Sequence, residues 1–308
     1  MKVIGIGNAI IDLICRVSDD FLSKNSLIKS TMKLINENEF QKLLKTVVIE
    51  DSIAGGSVAN SIVGLSRLKN NVGFLGKIND DDLGRKYHEN LKKENVAFLY
   101  NKKKELVSTG CCLVLITPDA ERTMCTFLGT AGNINDLDVN KNIIKNSDMI
   151  FLEGYLWDEG DPKKAFDKAL LNSKKAAMSL SDLFCVERHK KNFLNLVKNE
   201  LDIIFANEQE MISLINAKSI DDIVLFSKEI KKNVIITRGD KGAICIDNED
   251  VFECEAQKNL NIIDLTGAGD LFAAGYIHGI INNLSAKESL IKGTELSSKI
   301  IQKIGARI

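Results

Sequence analysis

Six short apolar runs recur along the chain, and longer periodic stretches separate them. The runs are KVIGIG (2–7), NVGFLGKI (71–78), DMIFLEGY (148–155), KAAMSLSD (175–182), LDIIFANE (201–208) and NVIITRGD (233–240). Each has the length of a strand and is almost continuously apolar, as suits a strand covered on both faces. Between them lie SVANSIVGLSRLK (57–69), DPKKAFDKALLNSKK (161–175) and NEQEMISLINA (207–217), which carry helical periodicity. Pro162 behind Asp161 marks a helix start. Strands alternating with helices predict an α/β fold, a mainly parallel central sheet sandwiched between helical layers. Ligands of such sheets sit beyond the carboxyl ends of the strands, so the polar residues that follow each run come under scrutiny.

One region departs from this alternation. STGCCLVLITPDAERTMCTFLG (108–129) reads as two extended segments around the turn Thr117-Pro118-Asp119-Ala120-Glu121. Together with IKSTMKLIN (28–36) it predicts a small second β-sheet, a lid over the main domain built from about 13–50 and 97–130. The 308 residues would suffice for one large α/β domain or two smaller ones. With no internal repeat and no low-complexity linker, 1–308 is taken as a single domain.

The formal net charge of -1 argues against nucleic acid as the main partner, and Lys102-Lys103-Lys104 reads as a solvated turn. Seven cysteines, an odd number without a C-x-x-C, fit a reduced, cytoplasmic setting. Asn8 and Asp12 interrupt the apolar N-terminus, which speaks against a signal peptide. No stretch approaches the roughly 20 apolar residues of a membrane span, so no membrane partner is expected. His88, His189 and His278 are too scattered for a structural zinc site.

The chemistry concentrates in IIDLTGAGDLFAAGY (262–276). Gly267, Ala268 and Gly269 stand where a helix should begin, although glycine is costly there. Small residues at that point let an anion reach bare amides at the positive end of the helix dipole. Asp270 would repel a phosphate, so it makes better sense as a base that takes a proton from a substrate hydroxyl. An ordinary helix entrance with an acid in its first turn is the plain alternative. A Walker A loop is absent, since Gly76-Lys77 is followed by Ile78. GIGNAI (5–10) offers Gly5 and Gly7 but puts Ile10 where a dinucleotide fingerprint needs its third glycine.

AGGSVANSIVGLSRL (54–68) places Gly55 and Gly56 at the mouth of a helix and Asn60 one turn in. Asn8 and Asp12 follow the first strand, and a carboxylate there would accept sugar hydroxyls. Asn207 and Glu210 lie one helical turn apart, able to orient Mg²⁺-bound waters and phosphate oxygens. Thr237, Gly239 and Gly242 form a turn whose backbone could face a nucleotide. Taken singly, each of these also reads as a cap, a packing glycine or a plain turn. Trp157 and Phe127 could stack on a base or fill the core, and His278 could face Asp270 or simply be packed.

The pair AGGSVAN and DLTGAGD, at this separation, resembles the ribokinase or PfkB family of carbohydrate kinases, and the resemblance runs along nearly the whole chain. GIGNAIIDLICRVSDDFL, ERTMCTFLGTAGNI and EGYLWD are most similar to members of the adenosine-kinase type. The resemblance implies a ribokinase-like sandwich with a β-lid and MgATP-dependent transfer of the γ-phosphoryl group to a primary hydroxyl. It implies Asp270 as base; Gly267, Ala268 and Gly269 as anion hole; and Asn8, Asp12, Gly55, Gly56 and Asn60 on the sugar. It further implies Asn207 and Glu210 near Mg²⁺ and phosphate, Glu210 through water, with Thr237, Gly239 and Gly242 on the nucleotide. Asp264, Thr266 and Gly305 would surround a monovalent cation such as K⁺. Leu265 departs from the family's small or β-branched residue, which bears on that cation more than on catalysis. Adenosine is the favoured acceptor. A free or phosphorylated sugar is the alternative, with Arg122 as a candidate phosphate ligand. A non-catalytic nucleoside- or nucleotide-binding module and an NAD-dependent oxidoreductase are rivals from other classes. An exposed lid edge would be the place for a second copy to pair.

Overall fold

The computed structural model describes residues 1–119, 121–158 and 160–307. Its fourteen strands are β1 (Val3–Ile6), β2 (Ile10–Arg16), β3 (Met32–Leu34), β4 (Asp51–Ala54), β5 (Val72–Leu75), β6 (Ala97–Phe98), β7 (Gly110–Ile116), β8 (Arg122–Phe127), β9 (Met149–Glu153), β10 (Ala176–Ser179), β11 (Ile203–Asn207), β12 (Asn233–Thr237), β13 (Ala243–Asp247) and β14 (Asp250–Cys254). Nine of them form one sheet in the order β14-β13-β12-β11-β10-β9-β1-β5-β6. The run from β12 to β6 is parallel, and β13 and β14 close one edge as an antiparallel hairpin. Helices cover this sheet, which explains why its strands read as unbroken apolar runs.

The other five strands form a second sheet, β3-β8-β7-β2-β4. Its bounds differ from those read in the sequence. Ala97–Phe98 pairs with β5 and belongs to the large sheet. The second sheet instead takes Ile10–Arg16 and Asp51–Ala54, which pair antiparallel from Ile11 opposite Ala54 to Ile14 opposite Asp51. Asp12 therefore stands on a strand of the small sheet and does not merely trail β1. The burial of Ile10–Arg16 alternates with period two, one face toward the core and one toward the site. Ala120, within the turn expected at 117–121, lies outside the described residues.

The chain passes between the sheets four times: at residues 7–9, where β1 leads into β2; at 55–56, where β4 leads into the helix Ser57–Arg67; at 99–109; and at 128–148. The helix Ser57–Arg67 packs on the helix Ala268–Ile281, which is buried almost all round: Leu271, Phe272, Tyr276 and Ile277 are each at most 4% exposed. Its Gly275 has no room for a side chain, because a Cβ would stand 2.7 Å from Gly293 Cα of the helix Ala286–Ile300. Each interior glycine costs about 1 kcal/mol. Burying one large apolar side chain contributes about 1.5–3 kcal/mol, so four of them outweigh it. This helix is a fixed post, and Asp270 sits in its first turn. All seven cysteines are free, and no helix among the described residues is long and apolar enough to cross a membrane.

Candidate active site

A cavity of about 480 Å³ opens between the carboxyl ends of the parallel strands and the small sheet. Asn8, Glu153, Asn207 and Thr237 line it from the strand ends. Met32, Leu34, Met124 and Thr126 line it from the small sheet, and the turn 265–270 closes one side.

Gly267 begins the helix Ala268–Ile281 in a left-handed conformation, φ 78°, and a Cβ there would stand 2.7 Å from Ala306 Cα. That glycine is explained by backbone and packing. Gly269 is not: a Cβ on it would meet nothing within 4 Å. Bare backbone facing open space at a helix N-terminus leaves access for a ligand as the reason for the small residue.

Asp270 faces this space. Ser57 Oγ donates to its Oδ1 at 2.6 Å and Asn60 Nδ2 to its Oδ2 at 3.0 Å. Ser61 Oγ donates to its backbone oxygen at 2.9 Å. Loss of hydration raises its carboxyl to about 6, and the two side-chain donors and Arg307 restrain the rise. A carboxylate poised there is ionised at neutral pH yet basic enough to take a proton. Ser57 came from no motif assignment, and its place beside Asp270 depends on the packing of two helices far apart in sequence.

Asp12 reaches the cavity from β2, its carboxyl raised to about 7 by burial while Arg307 and Arg122 pull it down. It lies against Gly55, where a Cβ would stand 2.7 Å from Asp12 Cγ and closer still to Oδ2. Gly55 thus contributes by making room for Asp12, and Gly56, φ 97°, by turning the chain into its helix. Asn8 donates from its backbone and from Nδ2 to Glu153 Oε1, at 3.3 and 2.9 Å. Val58 N donates to Glu153 Oε2 at 2.9 Å. Asn8 Oδ1 is buried without a partner among the described residues. Glu153, buried and raised to about 7 by loss of hydration, was missed in the sequence. It was visible as the first polar residue after the run DMIFL.

Asn207 and Glu210 also line the cavity. They form a capping box: Glu210 N donates to Asn207 Oδ1 at 2.8 Å, while Asn207 N and Nδ2 donate to the two Glu210 oxygens at 3.0 and 2.6 Å. Each carboxylate oxygen keeps a second lone pair, so Glu210 fits a Mg²⁺-bound water as partner. Burial lifts its carboxyl to about 7. Thr237 borders the cavity, whereas Gly239 and Gly242 do not. Gly242, φ 81°, is required by the β13–β14 hairpin, since a Cβ would press on the Cys254 carbonyl and stand 2.8 Å from Ala256 N. Trp157 packs on His189 and Phe193, and Phe127 on Phe40, so neither aromatic reaches the cavity. His278 meets Asn70 and Asn282 instead of Asp270.

The monovalent-cation assignment at Asp264, Thr266 and Gly305 does not fit. Thr266 N and Oγ1 donate to Asp264 Oδ1 at 3.0 and 2.7 Å, and Gly305 N donates to Oδ2 at 2.7 Å. Arg122 of β8 completes the set, its Nη2 at 2.6 Å from Asp264 Oδ2 and its Nη1 donating to Thr266 Oγ1 at 3.2 Å. The guanidinium supplies the positive charge that an alkali ion would bring, and four donors already occupy the carboxylate. Arg122 is consequently engaged away from any phosphorylated sugar.

Two sheets, a glycine-opened helix N-terminus and a poised aspartate converge on one cavity, and the comparison with known families agrees. The family described as pfkB family carbohydrate kinase matches residues 5–308. The chain belongs to that family. Among pfkB relatives, adenosine kinase of Schizophyllum commune is 25% identical, the match covering 99% of this chain and 96% of the relative. A 5-dehydro-2-deoxygluconokinase of Bacillus cereus is 24% identical over 87% of this chain and 86% of its own length. The crystal structure of adenosine kinase from Sinorhizobium meliloti superposes with a TM-score of 0.93 at 31% identity, covering 100% of this chain and 95% of that one. The fold is ribokinase-like, and the protein is a sugar or nucleoside kinase, a phosphotransferase acting on a hydroxyl group.

Proposed function

We propose that the protein transfers the γ-phosphoryl group of ATP to the primary hydroxyl of adenosine. The observation that carries this reading is that one cavity combines an apolar surface with acceptors suited to sugar hydroxyls. Its roof is apolar, with Met32, Leu34 and Met124, and Tyr155 and Phe184 also border it. A purine would rest against that surface. Asp12 of β2, in the same small sheet, and the unpartnered Asn8 Oδ1 at the end of β1 offer acceptors for ribose hydroxyls. Arg188 is the one basic side chain among the described lining residues, which disfavours a sugar phosphate.

In this reading Asp270 takes the proton of the attacking hydroxyl, held in place by Ser57 and Asn60. The amides around Gly267–Gly269 receive the charge of the migrating phosphoryl group. Glu210 would accept from a water of Mg²⁺, which when bound with ATP would supply charge neutralisation. A positioned base is worth about 10²–10⁴-fold in rate. Fixing the reactants in line contributes roughly 7–11 kcal/mol, so alignment under the small sheet is the larger effect.

The test is a phosphorylation screen of the purified protein with MgATP against adenosine, other nucleosides, pentoses, hexoses and hexose phosphates. Adenosine should give the highest kcat/KM, and Asp270→Asn should lower its turnover by about 10²–10⁴-fold while ATP binding changes little. A hexose or hexose phosphate outrunning adenosine overturns the substrate assignment. Near-normal turnover in the variant overturns the base assignment, and ligand binding without turnover in the wild type would favour a binding module.

A further inference from the structure

Three consecutive residues near the end of the chain each touch a different part of the site. Gly305 N donates to Asp264, Ala306 covers Gly267, and Arg307 Nε donates to Asn60 Oδ1 at 3.0 Å. The last contact decides which way the Asn60 amide points. With Oδ1 turned to the guanidinium, Nδ2 must face Asp270, where it donates at 3.0 Å. The flipped amide would set an oxygen against the carboxylate and a donor against a cation, losing both bonds. Arg307 Nη2 is sealed from solvent and has no hydrogen-bond partner among the described residues. A charge placed there at that cost asks for a function beyond solubility or surface packing.

We propose that Arg307 is a positioning residue for phosphoryl transfer, acting through Asn60 to hold the Asp270 carboxylate in its ionised, correctly aimed form. The inference rests on the kinase reading above and deepens it. The guanidinium charge favours the ionised form of Asp270 and of Asp12, against their burial. The charged and titratable groups around Asp270 and Arg307 are Asp12 from β2 and Glu153 and Tyr155 from the end of β9, with Arg307 itself beside Asp270, and Tyr87, Glu94 and Arg67 beside Arg307. Arg307 reaches Asp270 through a hydrogen-bonded amide, whereas Arg122 is neutralised by Asp264.

The experiment compares kcat against pH, at saturating adenosine and MgATP, for wild type, Arg307→Met and Arg307→Lys. In Arg307→Met the acid limb should move up by about 0.5–1 pH unit, since an opposite charge nearby has been removed. From that shift its kcat should fall about 2- to 5-fold at pH 6 and hardly at pH 8, on top of any loss from misaiming, with the KM for ATP within twofold of wild type. Arg307→Lys keeps the charge but lacks the fixed Nε donor, so its limb should stay near the wild-type position while kcat falls. Limbs and kcat unchanged in both variants overturn the proposal. So does a kcat loss in Arg307→Met that is equal at all pH values, which is the mark of a purely structural residue. Should Arg307→Met fail to fold, Arg307→Lys decides alone: an unchanged kcat overturns the proposal. The kinase reading is judged separately, by wild-type turnover and its loss in Asp270→Asn.

Discussion

Gly55→Ala is a one-methyl change whose effect can be worked from the coordinates. Ordinary van der Waals contact begins near 3.4 Å, and the new Cβ would stand 2.7 Å from Asp12 Cγ. The carboxyl carbon must therefore retreat by the difference, about 0.7 Å, with Oδ2 moving further. Asp12 is fixed on β2 by pairing with both β4 and β7, so the side chain and not the strand has to swing. Hydrogen bonds from a bound hydroxyl to this carboxylate would lengthen beyond useful range. Losing such a charged hydrogen bond costs about 1.5–3 kcal/mol, which corresponds to roughly a 10- to 150-fold rise in acceptor Kd. Calorimetric titration with adenosine, beside steady-state KM values for adenosine and ATP, reads this directly. The ATP KM should stay within twofold, because Gly55 does not touch the ATP side of the cavity as assigned above. An unchanged adenosine affinity in a folded variant, or an equal loss for ATP, would refute the placement of Asp12 on the acceptor.

Three further outcomes are expected. The kcat of the wild type should rise with pH through about 6 and level off above 7, because Asp270, raised to about 6, must be ionised to accept a proton; an acid limb near 4 would contradict this. Gly242→Ala should destabilise the fold by roughly 2–4 kcal/mol through its positive φ and the Cys254 carbonyl, with both KM values unchanged, as urea unfolding beside kinetics would reveal. Exchanging K⁺ for Na⁺ should leave the rate unchanged, since Arg122 fills the role of a cation at Asp264; a strong K⁺ stimulation would show that this pair gives way.

The large sheet was legible because each of its central strands is covered on both faces and so appears as an uninterrupted apolar run. β2 was not recognised as a strand: its alternation starts only at Ile10, and Asp12 on its cavity face made IIDLICR look like a strand exit. Asp270, Asn60 and Gly269 could be picked out because the helix N-termini that carry them are announced by glycines in an otherwise apolar setting. Gly239 and Gly242 share that signal but serve a hairpin, and a glycine alone does not say whether ligand or backbone fills the space beside it. Arg307 had no local signature at all. Its partner Asn60 is 247 residues away, and only the closing of the tertiary structure brings them together. Arg122 and Thr266, 144 residues apart, were hidden for the same reason.

Glu153 grips Asn8 at one crossing between the sheets and Val58 just past another. With the connections at 99–109 and 128–148, those two joints tie the small sheet to the large one, and in the proposed reading the first of them carries Asn8 and leads into Asp12, which face the acceptor. Proposed recognition and the joining of the two sheets therefore share residues. An acceptor that tightens the joints biases the sheet toward closure, and a sheet already closed must hold its acceptor more tightly by the same factor.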